Sequence, residues 1–436
     1  MQALKRPVGG ADRDGVSALY RDPLHIRGRE RPRELALFIL LAVATPIALI
    51  WGWPWNARGN DFGAEAATSF AALLHGHFAT FVNTAPAYGA SLLLRAPFAL
   101  PASLAHGSTL TLYRFSALPC LLALAALGVW LARGLRRSGA GLLAALAALA
   151  ICVANPITFR ALQFGHPEEL LGATLCVTAV LLAQRGRISW AALALGLAIA
   201  NKQWGLLAIG PVLIAAPRGR WRILAGAGAV AFALTSPITL ASGTLTVGVS
   251  RIATTPTGVI FHPQQIFWFF ARRGEWLPKQ GIFIPRSFRL PPDWLGDRAH
   301  LIIVALGVPL SWLALRRRTS PGDAMLLLAL LMLVRCWLDP WDIIYYMAPF
   351  VVSLLAWETA VNRRLPVYAI VATVATWLTF WYLPDHTNSD AQALAFLIPS
   401  TLALALMAAR VYGLVPSRWL VRPPVPRLTR APGVPS

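Results

Sequence analysis

Charge is scarce in this chain, and acid scarcer still. Only 13% of the 436 residues are charged, and 39 basic residues outnumber 18 acidic ones. Soluble domains carry about 25% charged residues, so composition excludes an ordinary water-soluble fold. Cysteine is equally sparse. Cys120, Cys152, Cys176 and Cys336 stand singly in apolar runs, without the spacing of a zinc site or a redox pair, and they read as packing residues. The chain also lacks a glycine-rich phosphate loop and any soluble stretch that would hold a nucleotide. Neither a cofactor nor a metal is expected.

Hydrocarbon takes the place of all this, at 57% apolar residues. A bilayer core takes about 20 apolar residues per helix. Runs of that kind occupy 34–53, 109–132, 139–158, 168–184, 222–241, 299–315, 322–338, 343–361, 365–383 and 391–413. The run 188–216 is too long for one ordinary span at 1.5 Å per residue. Arginines flank it on both sides (Arg185 and Arg187, then Arg218, Arg220 and Arg222). If both clusters share one side, the run goes out and returns as two short helices, with its apex at Asn201-Lys202-Gln203; a single tilted helix is the alternative.

The expected fold is all-α: a polytopic membrane protein of about 12 transmembrane helices with both termini cytoplasmic. The cytoplasmic segments then hold 26 of the 39 basic and 7 of the 18 acidic residues, the bias of the positive-inside rule. The net charge of +21 is thereby spread between spans, which argues against a nucleic-acid partner. Residues 1–33 form a basic cytoplasmic segment, too long for a cleaved signal peptide. Residues 34–413 form the membrane domain, with outer loops at about 54–108 and 242–298, and 414–436 form a disordered cytoplasmic tail. The apolar run 86–105, broken by Arg95, Pro97 and Pro101, is expected to be a helix lying in the outer interface. Tryptophans at span ends suit an aromatic belt.

Four outward clusters carry polar chemistry. Asp61 and Glu65 follow the first span, four residues apart and so on one face of a helix. Gly165-His166-Pro167-Glu168-Glu169 forms the turn after the third span. Lys202 heads the apex, with Gln203 and Trp204. The late loops bring His262, Arg272 and Arg273, then Arg335, Asp339, Asp342, Tyr345 and Tyr346. A lone loop carboxylate is usually solvated, and Lys202 or Arg335 could snorkel to headgroups, but a charge at the edge of an apolar run is costly and usually has a task. As a set these residues suit transfer from a lipid-phosphate sugar. Cations (Lys202 and Arg335, with Arg272, Arg273 and His262) bind the phosphate and stabilise it as it leaves. A carboxylate, Asp61 or Glu65, takes the proton of the acceptor hydroxyl. His166, Glu168, Glu169, Gln203, Asp339, Asp342 and Tyr345 are the candidates for sugar and acceptor binding.

The order of these features resembles the polytopic C-type (GT-C) glycosyltransferases, and most nearly glycosyltransferase family 87, similar to the polyprenol-phosphate-mannose-dependent mannosyltransferases. The acid after the first helix carries the likeness, with the segment Tyr88 to Pro101, Asn155-Pro156 leading to Gly165-His166, and Gly196 to Lys202 followed by Pro211. It is clearest over 34–220. The resemblance implies an outward active site in the cell membrane, with Asp61 as base and Lys202 near the phosphate of a polyprenyl-phosphate-linked sugar. A lipid, glycan or protein would be the acceptor, and membrane lipids the surroundings. The family turn commonly reads Gly-Gln-x-Asn, and Gly165-His166-Pro167-Glu168 departs from it. A lipid-linked substrate transporter or flippase is the competing reading, although such proteins more often show two related halves.

Overall fold

A computed structural model describes residues 32–216, 218–240, 260, 262–273, 289–296, 298–361 and 365–414. The basic N-terminal segment, the tail and most of the loop 242–298 lie outside these residues. The described chain is all-α. Helix α1 (Pro32–Trp51) leads through a π turn (Phe62–Ala66) to α2 (Ala67–Leu74), α3 (Phe78–Thr84) and α4 (Gly89–Leu104). Then come α5 (Thr109–Arg137), α6 (Leu142–Val153), α7 (Pro156–Phe164), α8 (Pro167–Gln184), α9 (Ile188–Asn201), α10 (Ile209–Ala215) and α11 (Arg220–Leu240). The second half holds β1 (Arg272–Arg273), β2 (Arg289–Leu290), α12 (Asp293–Gly296), α13 (Ala299–Arg316), α14 (Ala324–Leu338), α15 (Ala348–Val361), α16 (Val367–Trp377) and α17 (Ser389–Val411). The two short strands pair antiparallel.

Local chemistry sets the helix ends. The Ser108 hydroxyl accepts from the Thr111 amide ahead of α5, and Arg136 and Arg137 close that helix, where cations suit the helix dipole. Asn155 caps α7 by accepting from the Ile157 amide at 2.8 Å, with Pro156 in the first turn, and Gly165 ends the helix at φ +92°. That left-handed conformation favours glycine.

Seven described helical segments are long and apolar enough to cross a membrane: Pro32–Trp51, Thr109–Arg137, Leu142–Phe164, Arg220–Leu240, Ala299–Arg316, Val367–Asp385 and Ser389–Val411. Their unpaired faces are greasy; Leu301, Val308 and Trp312 of α13 are exposed, as are Val371 and Val374 of α16. Helices suit a bilayer because each satisfies its own backbone groups. Other apolar helices are shorter, among them α9, α14 and α4, and α14 is buried along almost its whole length. It packs chiefly against α15 and α17, with α10, α13 and α8 also in contact.

In the run 188–216, α9 stops at Asn201, Lys202 is extended (φ −155°, ψ 143°), and a 3-10 turn covers Gln203–Ala208. The chain then folds back, for Gly205 lies so close to Ala198 that a side chain there would meet its carbonyl oxygen. The segment 86–105 holds one helix. Helix α4 continues unbroken through Pro97 and Pro101, and Arg95 does not interrupt it but turns inward, 1% exposed. A buried ionic partner reverses the usual preference of a charge for the surface.

Polar contacts sort the connections into two ends. At one end Arg136 of α5 meets Glu34 of α1, the Gln184 amide donates to the Pro321 carbonyl, and Arg410 meets Asp323. At the other, the loop after α1 meets the α7–α8 turn, that turn meets the break at Lys202 and the end of α14, and Arg289 meets Asp390.

Candidate functional site

Glycine and asparagine seat the first acid. Gly165 lets the loop after α1 approach so closely that a side chain there would strike the Phe62 amide and Asn60. Asn60 fastens the approach. Its side-chain oxygen accepts from the Gly63 amide at 3.2 Å, and its amide reaches the Gln163 carbonyl. Asp61, at the head of the π turn, is thereby delivered to His166, with Nε2 2.9 Å from Oδ2. The Asp61 side chain is 42% exposed. Glu65 is exposed too and accepts from the Tyr88 hydroxyl at 2.8 Å.

Behind Asp61 the charges alternate inward. His166 Nδ1 lies 2.6 Å from Glu168 Oε1, and the ring stacks on Tyr345 with centroids 4.9 Å apart. Burial disfavours the imidazolium, but Glu168 and the hydrogen bonds with Asp61 and Glu168 outweigh it, pushing the group up to about 9. Glu168 faces Arg95 of α4 and Lys202, each at 3.5 Å. Lys202 Nζ lies 2.8 Å from Glu169 Oε1. Arg335 of α14 grips Glu169 with two hydrogen bonds, 3.1 and 3.2 Å, the fork geometry in which guanidinium and carboxylate fit best. The Trp204 indole also donates to Glu169, and Arg335 lies over the Trp204 and Tyr346 rings. Both glutamates are fully buried, which is tolerable only because each is paired.

Asn201 locks these helices together: its amide donates to the Glu168 carbonyl, and its oxygen accepts from Ser91 of α4, both at 2.8 Å. The Gln203 amide reaches the Ala87 carbonyl at 3.2 Å. At the end of α14, Asp339 pairs with His300 at 3.3 Å and accepts from the Trp341 amide. Burial opposes ionisation of Asp339, but His300 and Arg335 hold its carboxyl below the usual range. Asp342 is fully buried beside it; burial and Asp339 push its carboxyl well above that range.

One cluster therefore unites Asp61, Glu65, His166, Glu168, Glu169, Lys202, Arg335 and Tyr345, with Gln203, Asp339 and Asp342 at its margin. Among the described residues, no contact joins His262, Arg272 or Arg273 to it. Arg272 and Arg273 are exposed on β1. His262 is partly buried, and burial together with Arg160 pushes its imidazole down to about 4, a neutral ring unsuited to binding an anion. The sequence reading passed over Arg95, Tyr88, Asn201 and His300. Arg95 could have been found by asking what an arginine does inside an apolar helix. Asp61, Glu65 and His166 hold donor atoms within 4.8 Å of one another, a spacing that three ligands of a divalent cation approach. Both ring nitrogens of His166 face carboxylates, those of Asp61 and Glu168, and Glu65 accepts from Tyr88.

No curated protein matches this sequence. The family profile described as Glycosyltransferase family 87 matches residues 90–338, which takes in His166, Glu168, Glu169, Lys202 and Arg335, extends well past 220, and begins after Asp61 and Glu65. The match spans more than half of the chain, and this helical membrane protein belongs to glycosyltransferase family 87.

Proposed function

We propose that the chain moves a sugar, mannose or another hexose or pentose, from a polyprenyl-phosphate donor to an extracytoplasmic lipid, glycan or protein acceptor. Asp61 is the base, with Glu65 beside it. The acceptor oxygen attacks the anomeric carbon, the bond from that carbon to the phosphate oxygen breaks, and the acceptor proton passes to Asp61. Polyprenyl phosphate leaves as an anion that needs no proton, so one base suffices. Lys202 and Arg335 supply the positive field for that anion. The aromatic faces of Tyr88 and Tyr346 lie 5.1 and 5.9 Å from the Lys202 ammonium, and Tyr345, Gln203, Asp339 and Asp342 border the space for sugar and acceptor.

One observation carries this reading: a half-exposed carboxylate, Asp61, stands at the open end of a row of charges whose inner members are buried. The fixed cations sit deep and the acid sits at the surface, the arrangement expected when a lipid phosphate arrives from the bilayer and a polar acceptor from the water. The same reading places this end outside the membrane, with about 12 crossings and both termini cytoplasmic. Its support is that every polar contact between connections described above joins segments assigned to one side.

The test is incubation of purified protein with labelled polyprenyl-phosphate sugars, reading transfer into lipid and glycan fractions. Asp61→Asn should lower transfer by about 10²–10⁴-fold, the usual loss for a general base, while donor binding persists. Full activity in Asp61→Asn with loss in Glu65→Gln would move the role to Glu65, and full activity in both would sink the base.

A further inference from the structure

Among the described residues, the Asp61 carboxylate is held by His166 alone. It sits in a loop, half exposed, and a surface carboxylate rotates among several side-chain conformers. A base that must meet one hydroxyl at hydrogen-bond distance cannot work well from a spread of positions, because misplacement by about 1 Å costs roughly 10²-fold in rate. The hydrogen bond from His166 to Oδ2 limits that spread.

His166 in turn is rooted. Its ring is 5% exposed, stacked on Tyr345, and edge-on to Tyr88 at 5.8 Å. Its backbone amide donates to the Ala161 carbonyl, closing the α7–α8 turn. Its second nitrogen meets Glu168, which has no exposed surface and is neutralised by Arg95 and Lys202. With both nitrogens directed at carboxylates, the ring donates at both ends only as imidazolium. Neither nitrogen is left for a sugar hydroxyl, so the ring's task differs from the acceptor contact that its place in the turn suggests.

We propose that His166 is the positioning residue of the transfer reaction, an imidazolium strut that carries the rigidity of buried Glu168 out to Asp61 and aims Oδ1 at the acceptor hydroxyl. This rests on Asp61 being the base. In the transfer step the acceptor proton goes to Asp61 Oδ1, and His166 keeps both of its protons throughout. The groups that set its charge are Asp61 and Glu65 from the first loop, Glu168 from α8, Lys202 from the break after α9 and Arg95 from α4, with the Tyr88 and Tyr345 rings packed against it. Carboxylates raise its proton affinity and Lys202 lowers it, and the carboxylates prevail. A histidine raised in the folded state from 6.5 to about 9 contributes stability that is fully present below pH 6.5 and is lost as the pH rises through about 9.

A double-mutant cycle tests the strut, with labelled polyprenyl-phosphate sugar as the probe. His166→Ala should lower kcat by about 10–100-fold with the donor KM little changed. In an Asp61→Asn background it should cause no further loss, since a residue acting only through Asp61 has nothing left to position. His166→Gln, whose amide can donate to one carboxylate at a time, should recover part of kcat. Losses that multiply in the double variant would overturn the strut while leaving the base intact. Full activity in Asp61→Asn would remove the base and the strut together. A second arm does not need activity. The melting temperature of the wild-type protein in detergent should fall as the pH is raised through about 9, and that fall should be absent in His166→Gln; an equal fall in both overturns the proposal. So does chelator-sensitive wild-type activity restored by Mn²⁺, because a cation would then take Nε2 away from Asp61.

Discussion

The two ends of this bundle use charge differently. At the end with Glu34 and Asp323, the ion pairs among the described residues are partly exposed: Arg136 with Glu34, and Arg410 with Asp323, all with 14–25% of the side chain exposed. Each joins two connections. At the other end Asp61, His166, Glu168, Lys202, Glu169 and Arg335 form one continuous row, reinforced by Arg95, and its glutamates see no water. Partly exposed pairs at a wet boundary contribute about 0–1 kcal/mol. A buried row is costly to desolvate and gains little stability over apolar packing. A structure that keeps one on a single side keeps it for its field, and here that field ends at a half-exposed carboxylate.

The largest contrast should be in accessibility. In intact cells an impermeant thiol reagent should label Arg58→Cys, in the loop after α1, and should reach Arg317→Cys, at the opposite end, only after permeabilisation. Both positions are exposed and the four native cysteines are buried, so background is low. The reverse pattern would invert the orientation.

Stability comes next. Arg335→Leu leaves fully buried Glu169 without its two-pronged partner and should destabilise the protein by about 3–5 kcal/mol, read by unfolding in detergent. A smaller effect is expected for Lys202→Ala. The ammonium is one of several cations in the row, and a charged hydrogen bond contributes about 1.5–3 kcal/mol, so donor affinity should fall by roughly 10–100-fold with the fold intact. Unchanged affinity would mean that Lys202 serves only Glu168 and Glu169. Glu34→Gln should do least, about 0–1 kcal/mol with no change in transfer. A Glu34→Gln loss as large as that of Arg335→Leu would erase the distinction between the ends.

Much of the fold was legible without coordinates. Apolar run length and the placement of arginines pointed to a helical membrane protein, because hydrocarbon leaves the backbone only self-satisfied helices or closed barrels. The break at Lys202 was legible too, since 188–216 is too long for one crossing and is flanked by arginine on both sides. Most residues of the site were visible as charges that a membrane segment would otherwise avoid. The burial of Arg95 was not legible, because a sequence shows that a charge interrupts an apolar run but not which way the helix turns it.

What the sequence by itself determined, then, is the medium, the helices and the inventory of polar groups, all of which follow from composition and short-range periodicity. Only the tertiary structure decided which groups meet. Asp61 and His166 are 105 residues apart and Glu169 and Arg335 are 166 apart. Such pairings depend on helix rotation, on the close approach that Gly165 permits, and on the burial of Glu168 and Glu169. Hydrogen bonds and ion pairs act over a few ångströms, so separations of that order are fixed by how helices pack, and no local pattern of residues contains them.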